Sequence, residues 1–171
     1  MTISAVDVLL SSGYGSTTIR RIAAAAGVGT ATAYVYFSSK EHVFSEVFWR
    51  RLVVAPSPRF GELGPVDRVV LTLRQISKPV ADEPALAIAV SSALLGDDPD
   101  VRHLRVHIAA EIRRRLVEAL GGADPRYLAV LELLFTGAML QAGIRRLSYT
   151  QVADLLEACT FRLLSDVEPP K

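Results

Sequence analysis

The sequence predicts an all-α protein, with an N-terminal three-helix unit followed by a larger C-terminal helical bundle. Three observations carry this. Nearly every segment between Gly, Pro and Ser breakers places apolar residues three and four apart. No segment sustains the two-residue alternation of a strand. A stretch rich in proline and glycine, 55–65 (APSPRFGELGP), separates short helices from long ones. The units are therefore 1–54 and 55–171.

The elements follow in order. Residues 1–12 set Ile3, Val6, Leu9 and Leu10 on one helical face, and Gly13-Tyr14-Gly15 stops that helix. Thr17-Thr18 caps a short helix over 19–26, whose apolar face is Ile19, Ile22, Ala23 and Ala26. Gly27, free to take positive φ, ends it. A second short helix spans 30–37 after only Val28-Gly29. Ser38-Ser39 caps a longer one from Lys40 to about Val54, apolar at Val43, Phe44, Val47, Phe48 and Leu52. Beyond the linker, helices are expected at about 66–77, 84–95, 99–120, 125–147 and 150–165. Gly96-Asp97-Asp98-Pro99, Gly121-Gly122 and Ser148 punctuate them.

Composition bounds the class. The chain has 171 residues, 50% hydrophobic and 22% charged, enough to bury a core. One cysteine excludes an internal disulfide framework or a thiolate metal cage and fits the cytoplasm. The start lacks the basic and apolar regions of a secretory signal. The longest apolar runs fall far short of the ~20 residues a membrane helix needs. The net charge is +1, but it is unevenly placed. Residues 1–55 carry five basic and three acidic side chains, and 56–171 carry fourteen and fifteen.

The stretch 17–40 (TTIRRIAAAAGVGTATAYVYFSSK) bears the chemistry. Two helices joined by a three-residue turn can cross steeply only where their contact residues are small. Ala23, Ala26 and Ala33 meet that need, and Val28 plugs the turn. This is the arrangement in which a second helix enters the DNA major groove. Outside its core that helix offers Thr30, Ala31, Thr32, Tyr34, Val35 and Tyr36, a hydroxyl-rich surface with no acid to repel phosphate. Hydroxyls suit phosphate oxygens, and methyls suit a thymine methyl. Arg20 has the fork for a guanine edge or a phosphate. Lys40, at a helix start, suits a phosphate. On spacing alone, a plain helical hairpin with a solvated face reads equally well.

These residues resemble the TetR-type transcriptional regulators. The resemblance rests on Gly13-Tyr14, Thr17-Thr18, Ile22-Ala23-Ala24-Ala25-Ala26-Gly27-Val28, Thr32-Ala33-Tyr34-Val35-Tyr36-Phe37 and Ser39-Lys40-Glu41, over about residues 3–50. It implies that Thr18, Tyr34, Tyr36 and Lys40 touch phosphates, while Arg20, Thr30, Ala31 and Thr32 face base edges of a double-stranded, palindromic operator. Two departures stand out. Ala33 occupies a place where that family usually has a residue such as Leu, so looser packing is expected there. The family also begins with a basic segment ahead of the first helix, whereas this chain starts at Met1. Either that arm is dispensable or the start is clipped; a missing arm would lower affinity and flatten its salt dependence by about one unit of slope per lost phosphate contact.

The resemblance further implies a homodimer formed through the last two long helices and an effector held among the middle ones. The stretch 125–147 carries more apolar surface than one core stripe needs, and Gly137, Ala138, Ala142 and Gly143 are small enough for close approach across a two-fold axis. The pocket candidates are Leu73, Ile76, Leu94, His107, Phe135 and Met139; apolar walls favour an apolar or amphipathic small molecule. His103 and His107 have a spacing that seats a divalent metal, but five arginines within 99–120 argue against it. The pair is read as solvated or pocket-lining, with neither metal nor cofactor expected. No nucleophile with a base, carboxylate pair or phosphate loop points to an enzyme. The expectation is a ligand-released repressor; the alternative is a dimeric small-molecule-binding helical protein with weak or lost DNA binding.

Overall fold

The computed structural model describes residues 1–122, 125–144 and 146–165. Among them are nine helices and no strand: α1 (Thr2–Ser16), α2 (Ile19–Ala25), α3 (Thr30–Tyr36), α4 (Lys40–Val54), α5 (Pro65–Ala81), α6 (Pro84–Leu94), α7 (Pro99–Leu120), α8 (Pro125–Gly143) and α9 (Tyr149–Leu164). Among the described residues no helix is long and apolar enough to cross a membrane.

The caps explain most boundaries. Thr18 accepts from the Arg21 amide at 3.3 Å and starts α2. Ser39 accepts from the His42 amide at 3.0 Å and starts α4. Ser148 and Gln151 form a reciprocal capping box at α9, satisfying two otherwise orphaned amides. Gly27 and Gly121 take the left-handed backbone that ends α2 and α7, at φ 66° and 61°.

Three expectations shift. The first helix continues to Ser16, but Gly13 is non-helical inside it (φ 72°), so the expected stop is present as a kink. Its buried face is Ala5, Val8 and Leu9, while Ile3 and Leu10 are 79% and 61% exposed. The reason is the neighbours: α1 packs on α2, α4 and α6 along the row headed by small Ala5, which admits closer approach than Ile3 does. The helix expected over 125–147 ends at Gly143, which is pressed against Ser91 of α6 so closely that a Cβ would not fit.

One continuous apolar core runs from Ala5 and Ile22 through Phe44 and Leu52 to Leu131 and Leu164. Helix α4 links its parts. Val43, Phe44, Val47 and Phe48 are buried along it, and it packs on α1 at one side and on α6 and α7 at the other. Its C-terminal end is tied by the buried Arg115, whose Nη2 donates to the Leu52 and Ala55 carbonyls at 2.7 and 3.0 Å.

Candidate nucleic-acid interface

Helix α3 is held by one fully buried side chain, Ala33, set against Ile22 and Ala23 of the buried α2 face. The turn before it is closed by backbone: the Val28 amide donates to Ala23 at 2.9 Å and the Gly27 amide to Ala24 at 3.1 Å. So slight an anchor leaves the rest of α3 outside. Thr30, Ala31, Thr32, Tyr34, Val35 and Tyr36 are all exposed. Phe37 closes the helix as a buried cap, its ring edge-on to His42 at 5.2 Å. Ala33 itself is fully enclosed.

The flanking residues gather at both ends of this surface. Thr18 is exposed and its hydroxyl accepts from the Arg21 amide, leaving the hydroxyl proton free to donate outward. Arg20 is exposed in the first turn of α2, whereas neighbouring Arg21 is tied back to the Ser16 carbonyl at 2.9 Å. Lys40 is half-buried. Its Nζ donates to the Tyr14 carbonyl at 3.0 Å and lies 4.1 Å from the centre of the Tyr14 ring. The ammonium is thus positioned on α1 rather than swinging free. Tyr14 donates its own hydroxyl to Glu41 at 3.0 Å, and burial, together with the Glu41 charge, pushes its phenol well above the ordinary range.

A junction that sequence reasoning missed lies behind this surface. Ser38 donates to the Asp98 Oδ2 at 2.9 Å, while Asp98 Oδ1 caps α7 by accepting from the Asp100 amide at 2.8 Å. His42 Nδ1 lies 3.5 Å from Asp100 Oδ2. The segment 96–100 thereby touches the loop that follows α3. Its signal in the sequence was the Asp-Pro cap pattern at 98–99, which announces a helix start but not its partner across sixty residues.

In the larger unit, an open cleft of about 530 Å³ runs between α5 and α9. Leu73, Met139, Val152 and Leu156 supply its apolar lining, with Arg74, Lys78, Tyr149 and Glu157 among its polar groups. Of the expected pocket residues, Leu73 and Met139 reach this cleft. Ile76 and Phe135 are buried in the core and Leu94 packs against it, so they are not brought together with the cleft lining. His107 is elsewhere, on the outer face of α7 beside Trp49.

The unpartnered apolar surface is regular. Val130, Leu133 and Leu140 on α8 and Ile144 directly after it are exposed at alternating spacings of three and four, with Gly137 in the same row. Leu155 and Phe161 are exposed on α9. Ala142 and Gly143, expected on such a face, are instead turned inward, Gly143 onto α6. Gly137 has open space above it.

Residues 4–47 match the family described as bacterial regulatory proteins, tetR family. An uncharacterized HTH-type transcriptional regulator of Mycobacterium tuberculosis is 39% identical over 170 residues, covering 98% of this chain and 80% of that protein. The HTH-type transcriptional repressor KstR of Rhodococcus jostii is 27% identical over 161 residues, covering 90% and 76%. Among solved structures, the transcriptional regulator FadR from Bacillus subtilis in complex with stearoyl-CoA superposes with a TM-score of 0.71 at 19% identity, covering 98% of this chain and 97% of that one.

Proposed function

The chain belongs to the TetR family of bacterial transcriptional regulators, and from this premise we propose that it is a cytoplasmic, non-enzymatic repressor that binds a palindromic operator as a homodimer and lets go when a small amphipathic molecule binds. The observation that carries the reading is the α3 surface: six exposed side chains, four of them hydroxylic and none acidic, on a helix held by Ala33 alone. The repressor sign is supported by KstR, and the amphipathic ligand by the stearoyl-CoA bound to FadR.

The roles follow from chemistry. Thr18, Tyr34, Tyr36 and Lys40 grip phosphates; Arg20, Thr30, Ala31 and Thr32 face base edges. A dimer sets two α3 helices about one DNA turn, ~34 Å, apart or a multiple of it. The row Val130–Leu133–Gly137–Leu140–Ile144 has the a/d spacing that packs helix against helix, so α8 and α9 of two copies supply the dimer. A ligand entering at the cleft of Leu73 and Met139 shifts α4 and spoils that separation.

Fluorescence anisotropy on duplexes from the region upstream of the gene tests this. Sequence-selective binding that weakens with salt and is released by a long-chain acyl-CoA is expected. Tyr34→Ala and Lys40→Ala should weaken all duplexes alike. Arg20→Ala should cost about 1–3 kcal/mol and relax discrimination at one base pair. Equal binding to all duplexes by the unaltered protein overturns the reading.

A further inference from the structure

His103 and His107 stand one turn apart on the outer face of α7, both exposed. Their Nε2 atoms are 3.0 Å apart and their rings meet edge to face with centres 4.5 Å apart. The arginines that argued against a cation here have other engagements. Arg105 donates to the Gly96 carbonyl at 3.1 Å, and Arg113 pairs with Glu132 at 3.0 Å. Arg114 pairs with Glu111 and Glu118, and Arg115 with Glu111 and the end of α4. Arg102 is exposed, where solvent and salt screen its charge.

We propose that His103 and His107 form a binding site for a divalent transition metal of square-planar or tetragonal preference, Cu²⁺ first and Ni²⁺ second. The argument is geometric. An imidazole nitrogen sits about 2.0–2.1 Å from such an ion, so two nitrogens at a right angle are about 2.9 Å apart, and at a tetrahedral angle about 3.3–3.4 Å. The observed 3.0 Å brings both nitrogens within reach of one ion with little side-chain movement, and imidazole nitrogens in a tetragonal array suit Cu²⁺ and Ni²⁺. Cu²⁺ also tops the general affinity order for nitrogen sites. In the free pair one Nε2–H donates to the other ring; on metal binding that proton moves to Nδ1, and both Nε2 lone pairs face the ion. Water fills the remaining positions.

The site has a built-in reporter. Trp49, the one tryptophan of the chain, has its ring 5.8 Å from that of His107. A paramagnetic Cu²⁺ held there quenches its fluorescence.

The test is a titration of CuCl₂ into the untagged full chain, followed by tryptophan emission and electron paramagnetic resonance. The expected result is a quench that saturates at one ion per chain, with a tetragonal Cu²⁺ spectrum showing two nitrogen ligands. Losing one arm of a chelate removes its intramolecular advantage, so His103→Gln and His107→Gln should each weaken binding ~10-fold or more. Both side chains are exposed, and an unchanged far-ultraviolet dichroism confirms that these variants fold. His42→Gln, which removes the remaining histidine, should leave the titration unaltered. An undiminished quench in the doubly substituted protein, or the intense visible bands of tetrahedral Co²⁺ when CoCl₂ is used, overturns the proposal.

Discussion

Helix α2 meets α3 across buried Ala23 and Ala33, whereas α8 meets its neighbours through Leu128, Leu131 and Phe135. The two choices leave opposite surfaces. Small contacts let a short helix cross closely and stand almost wholly in solvent, so α3 is free to carry hydroxyls outward. Large contacts bury one stripe of a long helix and leave a second stripe, Val130 to Ile144, as aliphatic as the first. An exposed row of that kind is unfavourable in water and favourable against another apolar row. The head (α1–α4) thus presents hydroxyls to solvent and the bundle (α5–α9) an aliphatic row, the two surfaces on which the proposed DNA and dimer contacts rest.

The sharpest way to break this contrast is to ask whether the two halves melt together. Phe44 in α4 and Leu131 in α8 are both fully buried. Replacing either with Ala removes packing and leaves a cavity, costing about 3–5 kcal/mol. Because one apolar core runs through α4 into the bundle, both variants should lower a single calorimetric transition. Two transitions in Phe44→Ala, with the upper one unmoved, would make the head a separate cooperative unit.

A somewhat smaller effect is expected at Arg115, which is 2% exposed and ties the end of α4 to α7. Arg115→Met strands two carbonyls and removes one partner of Glu111, at a cost of about 3 kcal/mol. The same cluster gives a pH signature. Hydrogen bonding from Arg114, acting against partial burial and joined by Arg115, holds the Glu111 carboxyl down at about 2. A depressed folded value means stability that is complete above the ordinary glutamate range and is lost as pH falls from about 4.5 toward 2. Acid titration of stability should therefore be shallower over that window in Glu111→Gln. An unchanged slope would remove Glu111 from the account.

How far these features can be read in the residues differs by half. The head is legible because its geometry hangs on punctuation: Thr18, Gly27 and Ser39 each mark a boundary, and the small Ala33 is the side chain α3 buries. In the bundle the helices are equally clear, but periodicity does not say which of two apolar stripes turns inward. Gly143 reads as a surface contact until Ser91 is placed against it, and Leu73 and Met139 are told apart from Ile76 and Phe135 only by where α9 comes to rest. Even α1 misleads, since Ile3 is more apolar than Ala5 yet does not face α6. Long-range polar contacts are less legible still. Nothing local to Ser38 or Asp98 announces that they meet.

That meeting gives the smallest expected effect and the finest test of how head and bundle communicate. One carboxylate serves both sides: Asp98 Oδ1 caps α7 and Oδ2 receives the Ser38 hydroxyl beside α3. Burial opposes ionisation there, yet the hydrogen bonds from Ser39, Ser38 and the α7 amides outweigh it and lower the Asp98 carboxyl from its ordinary value. Asp98→Ala loses the cap and the bridge, at about 1 kcal/mol or slightly more. Ser38→Ala keeps the α7 cap but loses the bridge and the 3.2 Å contact of the Ser38 hydroxyl with His42 Nδ1, each hydrogen bond being worth about 0.5–1.5 kcal/mol at most and less where water replaces it. If the bridge couples the two halves, the double variant will be less destabilised than the two single losses together, because each single loss already removes the same bond. Hydrogen exchange of the α3 amides should quicken in both single variants while α8 and α9 stay unchanged. Additive stabilities, within about 0.3 kcal/mol, with unaltered α3 exchange would mean that Asp98 only starts a helix, and that head and bundle are linked through α4 and the packing of α1 on α6.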